Sequence, residues 1–205
     1  MTAIVGVVKD GDVWIGADRQ STAGGSIVEF PRGRVWERKD FIIGVAGDVR
    51  TAQILRYGFF PPEIYGKTDV FKYMAIDFVD DIRDALEENG NLYTRRGRCS
   101  MFNEMLVGFR GSLYVIRSDF AVGKITECIA IGPGGGVATD ALVAASNLGP
   151  EERIRAALEA AARHNALDCG PLDIINTKDD EWGKKLKKLK KLKGIEKIPI
   201  MRKRQ

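Results

Sequence analysis

Histidine is almost missing from this chain of 205 residues: His164 is the only one. A Ser/His/Asp or Cys/His relay would have to use it. It follows an alanine-rich helical segment with no nucleophile elbow, so it reads as a surface or helix-end side chain. Cysteine is scarce as well. Cys99, Cys128 and Cys169 form an odd, scattered set with no metal-ligand spacing. That argues against a disulfide frame or a zinc site and fits reduced thiols in a cytoplasmic protein. No apolar run approaches the ~18 residues of a membrane span, and no basic-then-apolar leader opens the chain. The glycine stretch Gly132-Pro133-Gly134-Gly135-Gly136 lacks the Gly-Lys-Ser/Thr continuation of a phosphate loop.

What is present is an ordinary globular composition, 44% apolar, at a length suited to one domain with a sizeable core. The net charge of +4 hides an asymmetry. Residues 178–205 hold 12 Lys and Arg against 4 Asp and Glu, a net of +8. The rest holds 20 basic and 24 acidic residues, a net of −4. The division expected is therefore a folded body over 1–177 and a basic lysine/leucine-rich tail over 178–205. Within the tail, Leu186, Leu189 and Leu192 recur every third residue among lysines. Three readings stay open: a weak polyanion contact through residues 184–204, an acidic membrane surface, or a solvated tail that docks on a neighbouring subunit. No aromatic residue interleaves with Lys184–Lys193 to stack on bases.

Residues 3–9 and 13–18 read as two strands joined at Lys9-Asp10-Gly11-Asp12, a strong turn signal. Residues 19–40 read as loop with short strands, and 41–46 as a buried strand. A helix is expected over 48–57, ended by Gly58 and Pro61-Pro62. Val70, Phe71, Met74, Phe78, Val79, Ile82 and Leu86 recur at helical spacing and predict one long amphipathic helix over 69–88. Residues 91–101 read as a polar, basic, mobile connection. Strands are expected at 104–109, 113–117 and 124–131, helices at 136–147 and 151–163, and a last strand at 172–175. Runs of strands followed by runs of helices predict an α+β fold.

The opening carries the chemistry. Once Met1 is removed, as the small side chain of Thr2 permits, Thr2 holds a free α-amine and a hydroxyl on one residue, a nucleophile with its own base. The second strand ends in the carboxylate of Asp18. Thr2-Ala3-Ile4-Val5-Gly6 and Gly16-Ala17-Asp18-Arg19-Gln20-Ser21-Thr22 together resemble the opening of proteasome β-subunits and of the bacterial two-ring proteasome-like peptidase. Phe41–Gly47, Glu104–Phe109 and Ile129–Gly135 are similar to later strands of that family, so the resemblance runs over about residues 2–177. It implies the four-layer αββα sandwich of N-terminal nucleophile hydrolases. It also implies a threonine peptidase working on unfolded polypeptide inside a homo-oligomeric ring or stacked rings, with an ATPase unfoldase as partner and no metal or organic cofactor. A divergent bacterial or phage-type member is the form it suggests.

Carried residue by residue, the resemblance makes Thr2 the nucleophile and Gly47 the oxyanion donor through its backbone N–H. Asp18 supports the network around the family's lysine, whose place falls at Arg34. Arginine keeps its proton, so Arg34 can supply fixed charge but cannot accept a proton. Pro133 stands where the family has a serine. Matching Gly170 puts Ala166 and Cys169 in the places of another aspartate and serine, with Asp168 beside them. Two readings follow: an active threonine peptidase, and a catalytically inactive scaffold or assembly protein of the same fold.

Overall fold

The first hairpin forms as its turn demands. Asp10 and Gly11 both adopt positive φ, 54° and 78°, the pair that a two-residue turn matched to strand twist requires. They join β1 (Ile4–Lys9) to β2 (Asp12–Asp18) in a register that sets Ile4 opposite Ala17 and Lys9 opposite Asp12. The computed structural model describes residues 3–23, 26–29, 33–64, 69–164 and 170–177. Thr2 and the tail over 178–205 lie outside the described residues, as do Ala166, Asp168 and Cys169.

After β2 come the short β3 (Gln20–Ala23) and β4 (Ser26–Glu29), which among the described residues pair only with each other, then β5 (Val35–Arg38) and β6 (Phe41–Gly47). Helix α1 (Val49–Tyr57) follows. The segment expected as one long helix is helical throughout but not uniform. Helices α2 (Val70–Tyr73) and α3 (Val79–Glu88) flank a π-helical turn at Met74–Phe78. The wider turn keeps Met74, Phe78, Val79 and Ile82 on the buried face. Next come β7 (Tyr93–Arg95), β8 (Arg98–Ser100), β9 (Asn103–Phe109), β10 (Ser112–Ile116), β11 (Val122–Ile125) and β12 (Cys128–Ile131). Helices α4 (Gly135–Ala144) and α5 (Pro150–His164) precede β13 (Leu172–Asn176).

Two expectations need correction. Residues 91–101 are not an irregular connection: β7 and β8 pair as a hairpin closed by Arg96 and Gly97, with φ of 51° and 74°. That is the same positive-φ pair as in the first hairpin, built without the Asn-Gly or Asp-Gly signature. Residues 124–131 are not one strand. β11 pairs with β10, while β12 pairs with β1 in the other sheet. The chain crosses between sheets at Thr126-Glu127, and the Glu127 carbonyl accepts from the N–H of Val8 at 2.7 Å.

The two sheets run β12-β1-β2-β13 and β11-β10-β9-β6-β5. Alternate side chains explain their stacking. Ile4, Val13, Ile15 and Ala17 of the first sheet meet Ile42, Ala46, Leu106 and Leu113 of the second. Val5 and Val7 point the other way, onto Ala138, Leu142, Ile154 and Leu158 of α4 and α5. Gly16 allows the close approach there: a Cβ on it would lie 2.4 Å from Ile154 Cγ2. On the far side, Ile43, Val45, Met105 and Val107 pack with Leu55 of α1, Phe78 and Ile82. Phe41 stacks on Phe109 at 4.0 Å between ring centres. The architecture is the four-layer αββα sandwich, with helices outside two antiparallel sheets. Burial of each large side chain contributes roughly 1.5–3 kcal/mol. No helix among the described residues is long and apolar enough to cross a membrane.

Candidate functional site

Asp18, Arg34 and Gly47 come together at one end of the sandwich. Asp18 closes β2, and register puts the N-terminal end of β1 beside it, with Ala3 buried. Arg34 lies just before β5, where its carbonyl accepts from the N–H of Val45 at 3.1 Å. Its guanidinium is buried, at 6% exposure for the residue, and Nη1 donates to the Gly47 carbonyl at 3.2 Å. Among the described residues, Arg34 Nε is buried without a hydrogen-bond partner. Burial pulls the Arg34 pKa down, while the charges of Asp18 and Asp48 push it back up. Burial likewise pushes Asp18 above the usual carboxylate range; Arg34 and the backbone N–H of Gln20 pull it down. That N–H donates to Asp18 Oδ1 at 3.2 Å, so Asp18 caps the strand end and also balances the field of Arg34.

Gly47 adopts φ +113°, a backbone region that strongly favours glycine. A Cβ there would lie 2.4 Å from the Phe102 carbonyl and 3.0 Å from Asn103 Nδ2. Asp48 follows as the N-cap of α1. Its carboxylate accepts from the backbone N–H of Thr51 at 2.8 Å and from the Thr51 hydroxyl at 3.1 Å. Burial works against the Asp48 anion, but these hydrogen bonds outweigh it and hold its pKa below the usual value. Asn91 Nδ2 donates to the Thr51 hydroxyl at 2.5 Å. Asn103, opposite Gly47 in the β6–β9 register, donates to the Asp48 carbonyl at 2.9 Å. Two successive carbonyls of the turn, those of Gly47 and Asp48, are thus held by buried side chains.

The flanks are also tied down. Arg19 bridges to Asp173 of β13 through Nε at 3.0 Å and Nη2 at 2.5 Å. This pair closes over Gly33: a Cβ there would sit 1.9 Å from Asp173 Oδ2, so the carboxylate would have to shift to admit one. Glu104 pairs with Arg117 and accepts from the backbone N–H of Gly132 at 3.4 Å, which fixes the glycine loop before α4. Pro133 in that loop is exposed. A cleft of about 720 Å³ opens between the edge strands β5 and β13, lined by Arg19, Trp36, Arg38, Arg56 and Asp173 among others. Asp18, Arg34 and Gly47 are not among its lining residues. The described residues contain no cluster of three or more metal-ligating side chains. Cys99 and Cys128 are free thiols, and His164 is exposed at the end of α5.

Sequence reasoning missed Asp48, Asn103, Arg19 and Asp173. Asp48 had a readable signal: a carboxylate at the first position of an expected helix and three residues from Thr51. Asn103 had none beyond being polar at the start of a strand. Arg19 and Asp173 lie 154 residues apart, so only folding pairs them.

No family model matches the sequence, and no curated protein matches it. Solved structures do. BPH of Thiobacillus denitrificans, solved in complex with epoxomicin, superposes with a TM-score of 0.71 at 20% identity, covering 85% of this chain and 97% of that one. HslV of Trypanosoma brucei gives 0.59 at 21% identity over 85% and 98%. Anbu, described as an ancestral β-subunit, from Yersinia bercovieri gives 0.59 at 13% identity over 97% and 100%. All three are proteasome-type structures. At this identity the likeness is one of fold, and the chain has the proteasome-type fold of the N-terminal nucleophile hydrolases.

Proposed function

We propose that this protein is a proteasome-like threonine peptidase subunit, with Thr2 as nucleophile after removal of Met1. The observation that supports the reading best is the convergence of Asp18, Arg34 and Gly47 beside the start of β1, with Arg34 hydrogen-bonded to the Gly47 carbonyl. Thr2 Oγ attacks a peptide carbonyl and its α-amine takes the hydroxyl proton. The Gly47 N–H stabilises the oxyanion. The proton passes to the departing amine, and water then cleaves the ester left on Thr2. Arg34 favours the alkoxide by fixed positive charge and transfers no proton. Asp18 offsets that charge so that it can sit in a buried place.

Assembly follows from the same reading: a homo-oligomeric ring or stacked rings in the cytoplasm that enclose the Thr2 sites, fed unfolded polypeptide by an ATPase. The basic tail over 178–205 is assigned to a neighbouring subunit, because Leu186, Leu189 and Leu192 need an apolar neighbour. A catalytically inactive scaffold of the same fold is the second reading. It is favoured by the guanidinium of Arg34 in the place of a tunable amine, and by Pro133 and Ala166 in two supporting positions.

Intact-mass and N-terminal analysis, followed by a peptidyl epoxyketone of the kind bound by BPH, separates the two. The peptidase reading expects chains that begin at Thr2, a covalent adduct on Thr2, turnover of unstructured peptides, and loss of all activity in Thr2→Ala. Clean removal of Met1 with neither adduct nor turnover would overturn it in favour of the scaffold.

A further inference from the structure

We propose that the β7–β8 hairpin is a specificity arm of the candidate site that binds acidic stretches of an extended polypeptide. The inference rests on the peptidase reading for its functional context, but its chemistry is read from the hairpin. Arg95, Arg96 and Arg98 are all exposed and fall within four residues. None of them makes an ion pair among the described residues. Tyr93 and Phe102, 43% and 68% exposed, lie with ring centres 5.4 Å apart at the base of the same hairpin. Three like charges above an apolar pair form a surface that anionic side chains on an extended chain would complement.

Position links the arm to the site. Phe102 follows β8 closely, and its carbonyl faces the place where a side chain at Gly47 would stand. The next residue, Asn103, is opposite Gly47 and donates to the Asp48 carbonyl. The arm is anchored rather than loose at its base. Cys99 Sγ contacts Thr94 Oγ1 across the hairpin at 3.7 Å and Arg83 Nη2 of α3 at 3.9 Å. The N–H of Met101 donates to the Ser118 carbonyl at 2.9 Å. The base of the arm thus adjoins the Gly47 turn, within reach of a polypeptide that extends beyond it. A nucleic acid is the weaker fit: Tyr93 and Phe102 cover each other in part, which leaves no row of free ring faces for successive bases.

The test is equilibrium binding, so it does not depend on turnover. Fluorescence anisotropy is measured with the full chain and three unstructured twelve-residue peptides, identical except for four positions that carry Glu, Gln or Lys. The same titrations use the triple variant Arg95→Ser, Arg96→Ser, Arg98→Ser, with thermal melting to establish that it is folded. Three surface pairs predict that the Glu peptide binds about tenfold tighter than the Gln peptide at low salt. That margin should shrink as salt rises and vanish in the triple variant. Equal binding of the Glu and Gln peptides by the natural chain would overturn the proposal. So would a preference that survives in the folded triple variant. An oligothymidylate of equal charge that displaces the Glu peptide at lower concentration would reassign the arm to nucleic acid and overturn it too. Failure of Thr2 to react with an epoxyketone, alongside an intact Glu preference, would remove the peptidase reading and leave the arm as a peptide-binding surface.

Discussion

Gly47→Ala tests the geometry on which the site depends. The residue holds φ +113°, and its new methyl would lie 2.4 Å from the Phe102 carbonyl just before the paired strand. Two costs add. Forcing an L side chain into this region costs about 1–3 kcal/mol. Relieving the contact requires β6 and β9 to part by several tenths of an ångström inside a packed sandwich, an overpacking cost of about 1–3 kcal/mol. The expected loss is about 2–6 kcal/mol, near 10 °C in melting temperature for a domain of this size. Gly90→Ala supplies the comparison. Gly90 has φ +64°, but nothing lies within 4 Å of the point where its methyl would stand, so it should lose only the backbone share, about 1–2 kcal/mol. Urea or thermal unfolding of both variants measures the difference. If Gly47→Ala is no more costly than Gly90→Ala, the tight approach of Gly47 to Phe102 is wrong, and with it the proposed direction of the turn.

Two more predictions follow from the buried charges and from the division of the chain. Replacing Arg34 by Met removes the charge that pulls the Asp18 pKa down and leaves burial to push it higher. A raised native pKa means the folded state holds the proton more tightly than the unfolded chain, so the penalty is full at high pH and fades as pH falls through the native value. The variant should lose about 2 kcal/mol at pH near 8, below the range for a fully buried pair because Asp18 is only half-buried, and less near pH 5. Equal losses in melting scans at both pH values would refute the coupling. Ending the chain after Thr177 should leave a folded domain, since the core clusters among the described residues are all built from earlier positions. Circular dichroism checks the fold, and light scattering reads any change of oligomer size that the tail contributes.

The first hairpin was legible because its signals are local: Asp10-Gly11 demands positive φ, and apolar residues alternate around it. Gly47 was legible for a related reason, as a glycine between a buried strand and a helix. The sequence placed Asp18, Arg34 and Gly47 as candidates through spacing and resemblance, but it did not show what touches them. The Asn103 amide on the Asp48 carbonyl and the Arg34 guanidinium on the Gly47 carbonyl required β5, β6 and β9 to be paired in one register within their sheet. The hairpin at 93–100 was hidden because Arg96-Gly97 is a weaker turn signal than Asp10-Gly11, although the backbone solution is the same.

By itself the sequence determined the first hairpin and its turn, the strand that ends at Gly47, the main helices, and which faces of these elements are apolar. Those properties depend on side-chain period and on the conformational range of single residues. Tertiary structure alone decided that residues 122–131 divide between two sheets, that Arg19 meets Asp173, and that Asn103, just after the β7–β8 hairpin, stands opposite Gly47. These depend on which surfaces bury one another, a choice made between residues up to 154 positions apart and therefore not written in any local pattern.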